Sequence, residues 1–230
     1  MLLDGIGMMK GITQVFCFFL PWSLRRRVLN YFFGFSIDRD ARIGLSVILA
    51  DQVEIARGAR LGHFNYIGQL DKLEMNEETF IGNFNWVPGL SRRLNSSFYP
   101  KKPNRRSELV LGRCSMIGHQ NYIDCTDRVE LGAFSGIAGA RSQLVTHGVE
   151  PLASRQTCGP ITIGDYTMIG SGSTILKGVK IPNCCIIGAG SVVTHVKPEP
   201  YALIAGNPAV QVRKMPEDAK FFSRTSLVIK

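Results

Sequence analysis

The chain contains four histidines, and three of them, His63, His119 and His195, stand two places after an aliphatic residue of a short repeat. His147 takes the same place if Val145 is the aliphatic residue of its unit. That is a turn position, directed away from a core. Imidazole is the side chain suited to taking a proton from a hydroxyl group and returning it, because it serves in turn as base and acid. His147, in LVTHGVE, comes just before a stretch that abandons the repeat. His119 and Asp124, in GHQNYIDCTD, put a carboxylate close to a histidine, an arrangement that fixes a tautomer or holds a substrate's hydroxyls. Asn121 offers an amide in the same segment, and Glu150 is the carboxylate nearest to His147 in sequence. The cysteines (Cys17, Cys114, Cys125, Cys158, Cys184 and Cys185) form no CxxC pair and have no metal-ligand spacing with a histidine. No metal site is expected, and a zinc enzyme would need three converging histidines, including a closely spaced pair absent here. The cysteine pattern is that of a reduced, cytoplasmic chain.

These side chains need a scaffold, and the stretch from Ile163 to Thr194, IGDYTMIGSGSTILKGVKIPNCCIIGAGSVVT, defines it. Every sixth residue is aliphatic: Ile163, Ile169, Ile175, Ile181, Ile187 and Val193. The fifth position of each unit is small or modest in size, as at Thr167, Ser173, Cys185 and Ser191. A fixed short period of this kind marks a solenoid in which each unit is one strand and one turn. Helical spacing of apolar residues is absent. The pattern begins near Ile37, with Leu49 as one of its inward positions, and slips at Met75, Leu131 and Val145.

The repeat resembles that of the hexapeptide-repeat acyltransferases. The ending IGAGSVVTHVKPEPYALIAGNPAVQVRK is similar to the end of acetyl-CoA-dependent sugar O-acetyltransferases, above all those serving bacterial surface-polysaccharide biosynthesis. The resemblance implies an all-β, left-handed parallel β-helix over residues 37–211 that assembles as a homotrimer. It implies acetyl-CoA as acyl donor and a glycan acceptor, which lipid linkage would bring to a membrane. His147 matches the threonine-histidine at which that family places its catalytic base. Ser171, Ala189 and Thr194 match positions that contact pantetheine, and Arg213 matches a basic residue at the CoA phosphates. His195 stands where lysine is common, and Val210 where a second basic residue often sits. His119 and Asp124 are candidates for the same site, with Asn121 and Glu150 as candidate acceptor contacts. An N-acetyltransferase of an amino sugar or an antibiotic-acetylating enzyme would present the same base and donor site. A non-catalytic solenoid used as a scaffold is the alternative of another class.

Residues 1–36 read as an N-terminal helical cap. Within them, residues 11–35 join aromatics to Arg25, Arg26 and Arg27, a composition suited to a membrane surface. The apolar run before Trp22 is broken by Pro21 and is too short to span a bilayer. Two segments leave the period, residues 91–107 and 148–160, and both read as loops extruded from the coil. Residues 212–230 read as a short helical tail. The formal charge of +9 admits anionic partners, but no nucleic-acid-binding motif accompanies it.

Overall fold

The computed structural model describes residues 5–94, 98–99 and 102–227. The repeats wind into a left-handed parallel β-helix with three faces. The first face carries Ser36–Ile37, Glu108–Leu111, Val129–Leu131, Ile161–Ile163 and Lys180–Ile181. The second carries Arg42–Ile43, Arg60–Leu61, Phe80–Ile81, Met116–His119, Gly136–Ala140, Met168–Ile169 and Ile186–Ile187. The third carries Trp86–Pro88, Tyr122–Asp124, Gln143–Val145, Thr174–Leu176 and Val192–Val193. Two long strands, Val47–Ile55 and Tyr66–Met75, turn the corner from the third face to the first.

The six-residue period follows from this geometry. Ile163, Ile169, Ile175, Ile181, Ile187 and Val193 fill the prism and are essentially inaccessible. Each such burial contributes roughly 1.5–3 kcal/mol. The small fifth residue closes the inside of the corner: Thr167 Oγ1 donates to Pro182 O at 3.0 Å and Ser173 Oγ to Gly188 O at 3.1 Å. The glycine after the aliphatic residue is demanded by stacking. A Cβ on Gly44, Gly62 or Gly82 would lie 2.5 Å from the backbone oxygen of the next coil.

Two inward positions differ from the sequence reading. Ile48, not Leu49, enters the core and pairs with Ile67, while Leu49 is covered from outside by the N-terminal helix. Leu144, not Val145, is the core residue and pairs with Ile123 and Ile175. The cause is a bulge after Ile137, where Gly139 and Arg141 have positive φ and add one residue to the turn.

Helices α1 (Gly5–Phe16) and α2 (Trp22–Phe33) close the N-terminal end. The first coil would otherwise offer open strand edges. Gln14 bonds both ways to Ile48, its Nε2 donating to Ile48 O at 2.7 Å and its Oε1 accepting from Ile48 N at 3.0 Å. Arg25 Nη1 donates to Ile43 O, and Asn30 bonds to both backbone groups of Ile37. Each face is thus capped by its own polar side chain. At the other end, Ala202–Gly206 extends the second face and Ala209–Lys214 folds back antiparallel to it. The expected helical tail therefore starts as strand, and its helical part among the described residues is the 3-10 turn Lys220–Ser223.

The two insertions differ from each other. Residues 148–160 were expected as loop, yet His147–Glu150 and Arg155–Cys158 form an antiparallel hairpin. In the other, Arg92 and Arg93 reach Asp71 and Asp51, and buried Arg105 donates to Leu90 O and Thr126 O.

Candidate active site

His147 opens that hairpin, at the edge where the third face turns into the first. Asp124 is the last residue of the strand one coil earlier, and parallel pairing sets it beside Val145. The two side chains meet there, with His147 Nδ1 and Asp124 Oδ2 2.7 Å apart. Asp124 is almost fully buried while the His147 ring is 39% exposed.

The carboxylate is densely held. Oδ2 accepts from the backbone N–H of Thr146 at 2.8 Å and of His147 at 3.1 Å. Oδ1 accepts from the Thr126 backbone N–H at 2.9 Å and the Thr126 hydroxyl at 2.7 Å. Burial works to raise the Asp124 pKa, but the hydrogen bonds from His147 and Thr126 outweigh it and hold the carboxyl below its usual value. An ionised acceptor makes Nδ1 of His147 the donor, which leaves Nε2 with a free lone pair.

His119 has the opposite arrangement. Its Nδ1 accepts the Asn83 backbone N–H at 2.9 Å. The proton of the neutral ring therefore sits on Nε2, making it an outward-facing donor and not a base. His119 also lies on a different edge, between the second and third faces, and it does not pair with Asp124. Ser171 follows on that same edge, since Gly118 stacks against Gly139 and Gly139 against Ser171. Ala189 lies one coil further, against Gly170.

The remaining predicted residues are dispersed. Thr194 continues the strand Val192–Val193 and lies on the His147 edge, two coils on. Arg213 is exposed on the returning strand, opposite Leu203. Asn121 is buried in a ladder, donating to Asn85 and accepting from Ser142 N, so it is committed to the fold. Glu150 pairs with Arg155 across the hairpin and does not orient His147.

Sequence reasoning missed Thr126 and Thr146, which anchor Asp124, and Tyr99 and Lys177, which pack against the hairpin. Tyr99 Oη donates to Gln156 at 3.4 Å, and burial pushes its phenol up to about 12. Lys177, one coil on, contacts Thr157. Beside the site, Lys102, Arg105, Arg106, Asp127 and Arg128 line a cleft of about 380 Å³. Asp127 N donates to Thr146 Oγ1 at 3.0 Å, which ties this cleft to the His147 edge. Among the described residues no cluster could hold a metal ion.

Residues 160–195 match the family of bacterial transferase hexapeptide (six repeats). A Staphylococcus aureus (strain COL) protein named as an acetyltransferase is 46% identical over 63 residues, 27% of this chain and 31% of its own length. Klebsiella aerogenes chloramphenicol acetyltransferase is 41% identical over 59 residues, 26% of this chain and 28% of its length. The matched segments thus span less than a third of either relative. The solved polysialic acid O-acetyltransferase OatWY superposes with a TM-score of 0.60 at 17% identity, over 81% of this chain and 90% of that one. That likeness is one of fold. Residues 160–195 thus carry the bacterial transferase hexapeptide repeat, on a coil whose fold the chain shares with OatWY.

Proposed function

We propose that the protein is an acetyl-CoA-dependent O-acetyltransferase acting on a sugar hydroxyl of a surface glycan. The observation that carries this reading is the His147–Asp124 pair, which leaves one basic nitrogen exposed beside a cleft. Nε2 of His147 takes the acceptor's hydroxyl proton as the oxygen attacks the thioester carbonyl carbon. The tetrahedral intermediate collapses with loss of the CoA thiolate, to which the imidazolium returns the proton. Asp124 holds the ring in one tautomer and stabilises its cationic form. No covalent enzyme intermediate is required.

The donor positions support the same reading. Ser171 and Ala189 present a small-residue edge along which a pantetheine arm can lie. That edge and the His147 edge bound the same face, so they do not meet within one copy. A homotrimer with the third face toward its axis would set the His147 edge of one copy beside the Ser171 edge of the next. Exposed Phe64, Phe84, Trp86 and Tyr122, on and beside this face, offer apolar surface for such packing. His119 then serves as a donor from the neighbouring copy. Thr194 and Arg213 are proposed to hold further parts of CoA.

Thiol release from acetyl-CoA, measured against a panel of sugars and oligosaccharides with chloramphenicol included, tests the proposal. Release that depends on a glycan acceptor supports it. Release with chloramphenicol alone points to an antibiotic-acetylating enzyme, and failure to bind CoA points to a scaffold.

A further inference from the structure

The N-terminal cap has features that acetyl transfer does not use. Helix α1 is inverted for a helix packed against a protein core. Its deeply buried polar residue, Gln14, faces the coil, while Met8, Met9, Ile12, Val15 and Phe16 face outward. The chain then exposes Phe19, 88% accessible, and Tyr31 and Phe32 on α2. Scattered apolar residues are ordinary, but so many large exposed ones within one two-helix cap point to an interaction surface. No helix among the described residues is long and apolar enough to cross a membrane.

Where the turn between the two helices and the start of α2 meet the first two coils lies a cleft of about 360 Å³. Phe18, Trp22, Arg25, Arg42, Arg60 and His63 line it. Arg25 is 4% accessible, and no carboxylate pairs with Arg25, Arg42 or Arg60 among the described residues. Two buried donors of this lining, Arg25 Nε and Trp22 Nε1, have no hydrogen-bond acceptor. His63 adds another donor, because its Nδ1 accepts the Leu45 backbone N–H and leaves the proton on Nε2. Buried donors without acceptors are rare in folded proteins. A cationic set with unused N–H groups suits a phosphate, whose oxygens match guanidinium forks.

We propose that this cleft seats the headgroup phosphate of an anionic membrane lipid, with the outward side chains of α1 and Phe19 entering the interface. The protein then lies end-on, as a peripheral protein held by apolar insertion together with basic charge. In a trimer whose axis runs along the coils, all copies present this end to one plane, which strengthens weak single contacts.

Vesicle flotation of the full chain tests the inference. Capture by phosphatidylcholine vesicles containing phosphatidylglycerol should exceed capture by phosphatidylcholine alone by about tenfold. Arg60→Glu and Phe19→Ser, both at exposed positions, should each lower it by about tenfold with unchanged melting temperature. Lys180→Glu, the same charge change on a remote coil, should leave it unchanged. Equal capture by both vesicles, or an equal loss with Lys180→Glu, overturns the proposal. Trp22 fluorescence titrated with inorganic phosphate separates the sources. A response only at millimolar phosphate agrees with a lipid site, whereas saturation at micromolar phosphate makes it a free-phosphate site and overturns the lipid assignment.

Discussion

Replacing Asp124 by asparagine removes one charge and almost no volume, so its effect isolates the electrostatic work of the pair. The amide has two orientations. With its oxygen at the Oδ2 position it still accepts from Thr146 N, His147 N and His147 Nδ1, but its NH₂ then confronts the Thr126 backbone N–H. The reverse orientation opposes NH₂ to all three of the former donors. The first is therefore preferred, at the cost of one buried unsatisfied N–H, about 1–3 kcal/mol of stability. Histidine keeps its tautomer but loses the anion that stabilises the imidazolium. Opposite charges about 4 Å apart interact by about 4 kcal/mol at an effective dielectric constant of 20, and the part-exposed ring discounts this toward 3 kcal/mol. At 1.36 kcal/mol per decade the expected loss in kcat is roughly 10²–10³. Initial rates of acceptor-dependent thiol release, with CoA binding and melting temperature measured in parallel, read both effects. A kcat within about threefold of native, in a folded variant that binds CoA, refutes the reasoning. The pH dependence follows the same logic. The Asp124 pKa is depressed in the folded state, so its contribution to stability is fully present above the unfolded carboxyl pKa. It disappears as pH falls through the folded value, and Asp124→Asn should flatten the stability curve in that acidic window.

Other consequences are simpler to test. Glu150→Gln breaks only an ion pair within the hairpin and should change kcat by less than about threefold in the same assay. Gln14→Ala leaves both backbone groups of Ile48 without their partner and should cost about 2–4 kcal/mol, read as a lowered midpoint in urea unfolding. Gly118→Ala drives a Cβ into the carbonyl oxygen of Gly139 in the next coil. It should cost about 1–3 kcal/mol, lowering the melting temperature by about 2–4 °C for each of them.

Much of the scaffold was legible because its rule is local. An inward aliphatic residue every sixth position, a glycine where backbones stack and a small residue inside the corner each have one physical cause. The rule failed where the turn changed length. The bulge after Ile137 moves the core position to Leu144, so the place assigned to His147 by counting was one residue short. His147 itself could be singled out by the threonine-histidine it belongs to and the irregular stretch after it. A turn position alone does not mark a base, since His63 and His119 each accept a backbone N–H of the preceding coil there. Its partner could not be assigned. Asp124 is 23 residues away in sequence and becomes a neighbour only when coils stack, while nearby Glu150 is carried off by a hairpin hidden in an irregular stretch. Asn121 was misjudged for a related reason: an asparagine inside a coil is satisfied by the asparagine of the coil before. The cap's polar residues were equally silent, because nothing local shows that Gln14, Arg25 and Asn30 each close one face.

The central claim is that His147, and not His119, is the base. Acceptor-dependent thiol release from acetyl-CoA should fall by at least about 10³ in His147→Ala with CoA affinity unchanged. His119→Ala, which removes only a donor, should retain the native pH dependence of kcat/KM at a rate lower by about tenfold. Loss of the pH-dependent limb in His119→Ala, together with near-native turnover in His147→Ala, would contradict the assignment.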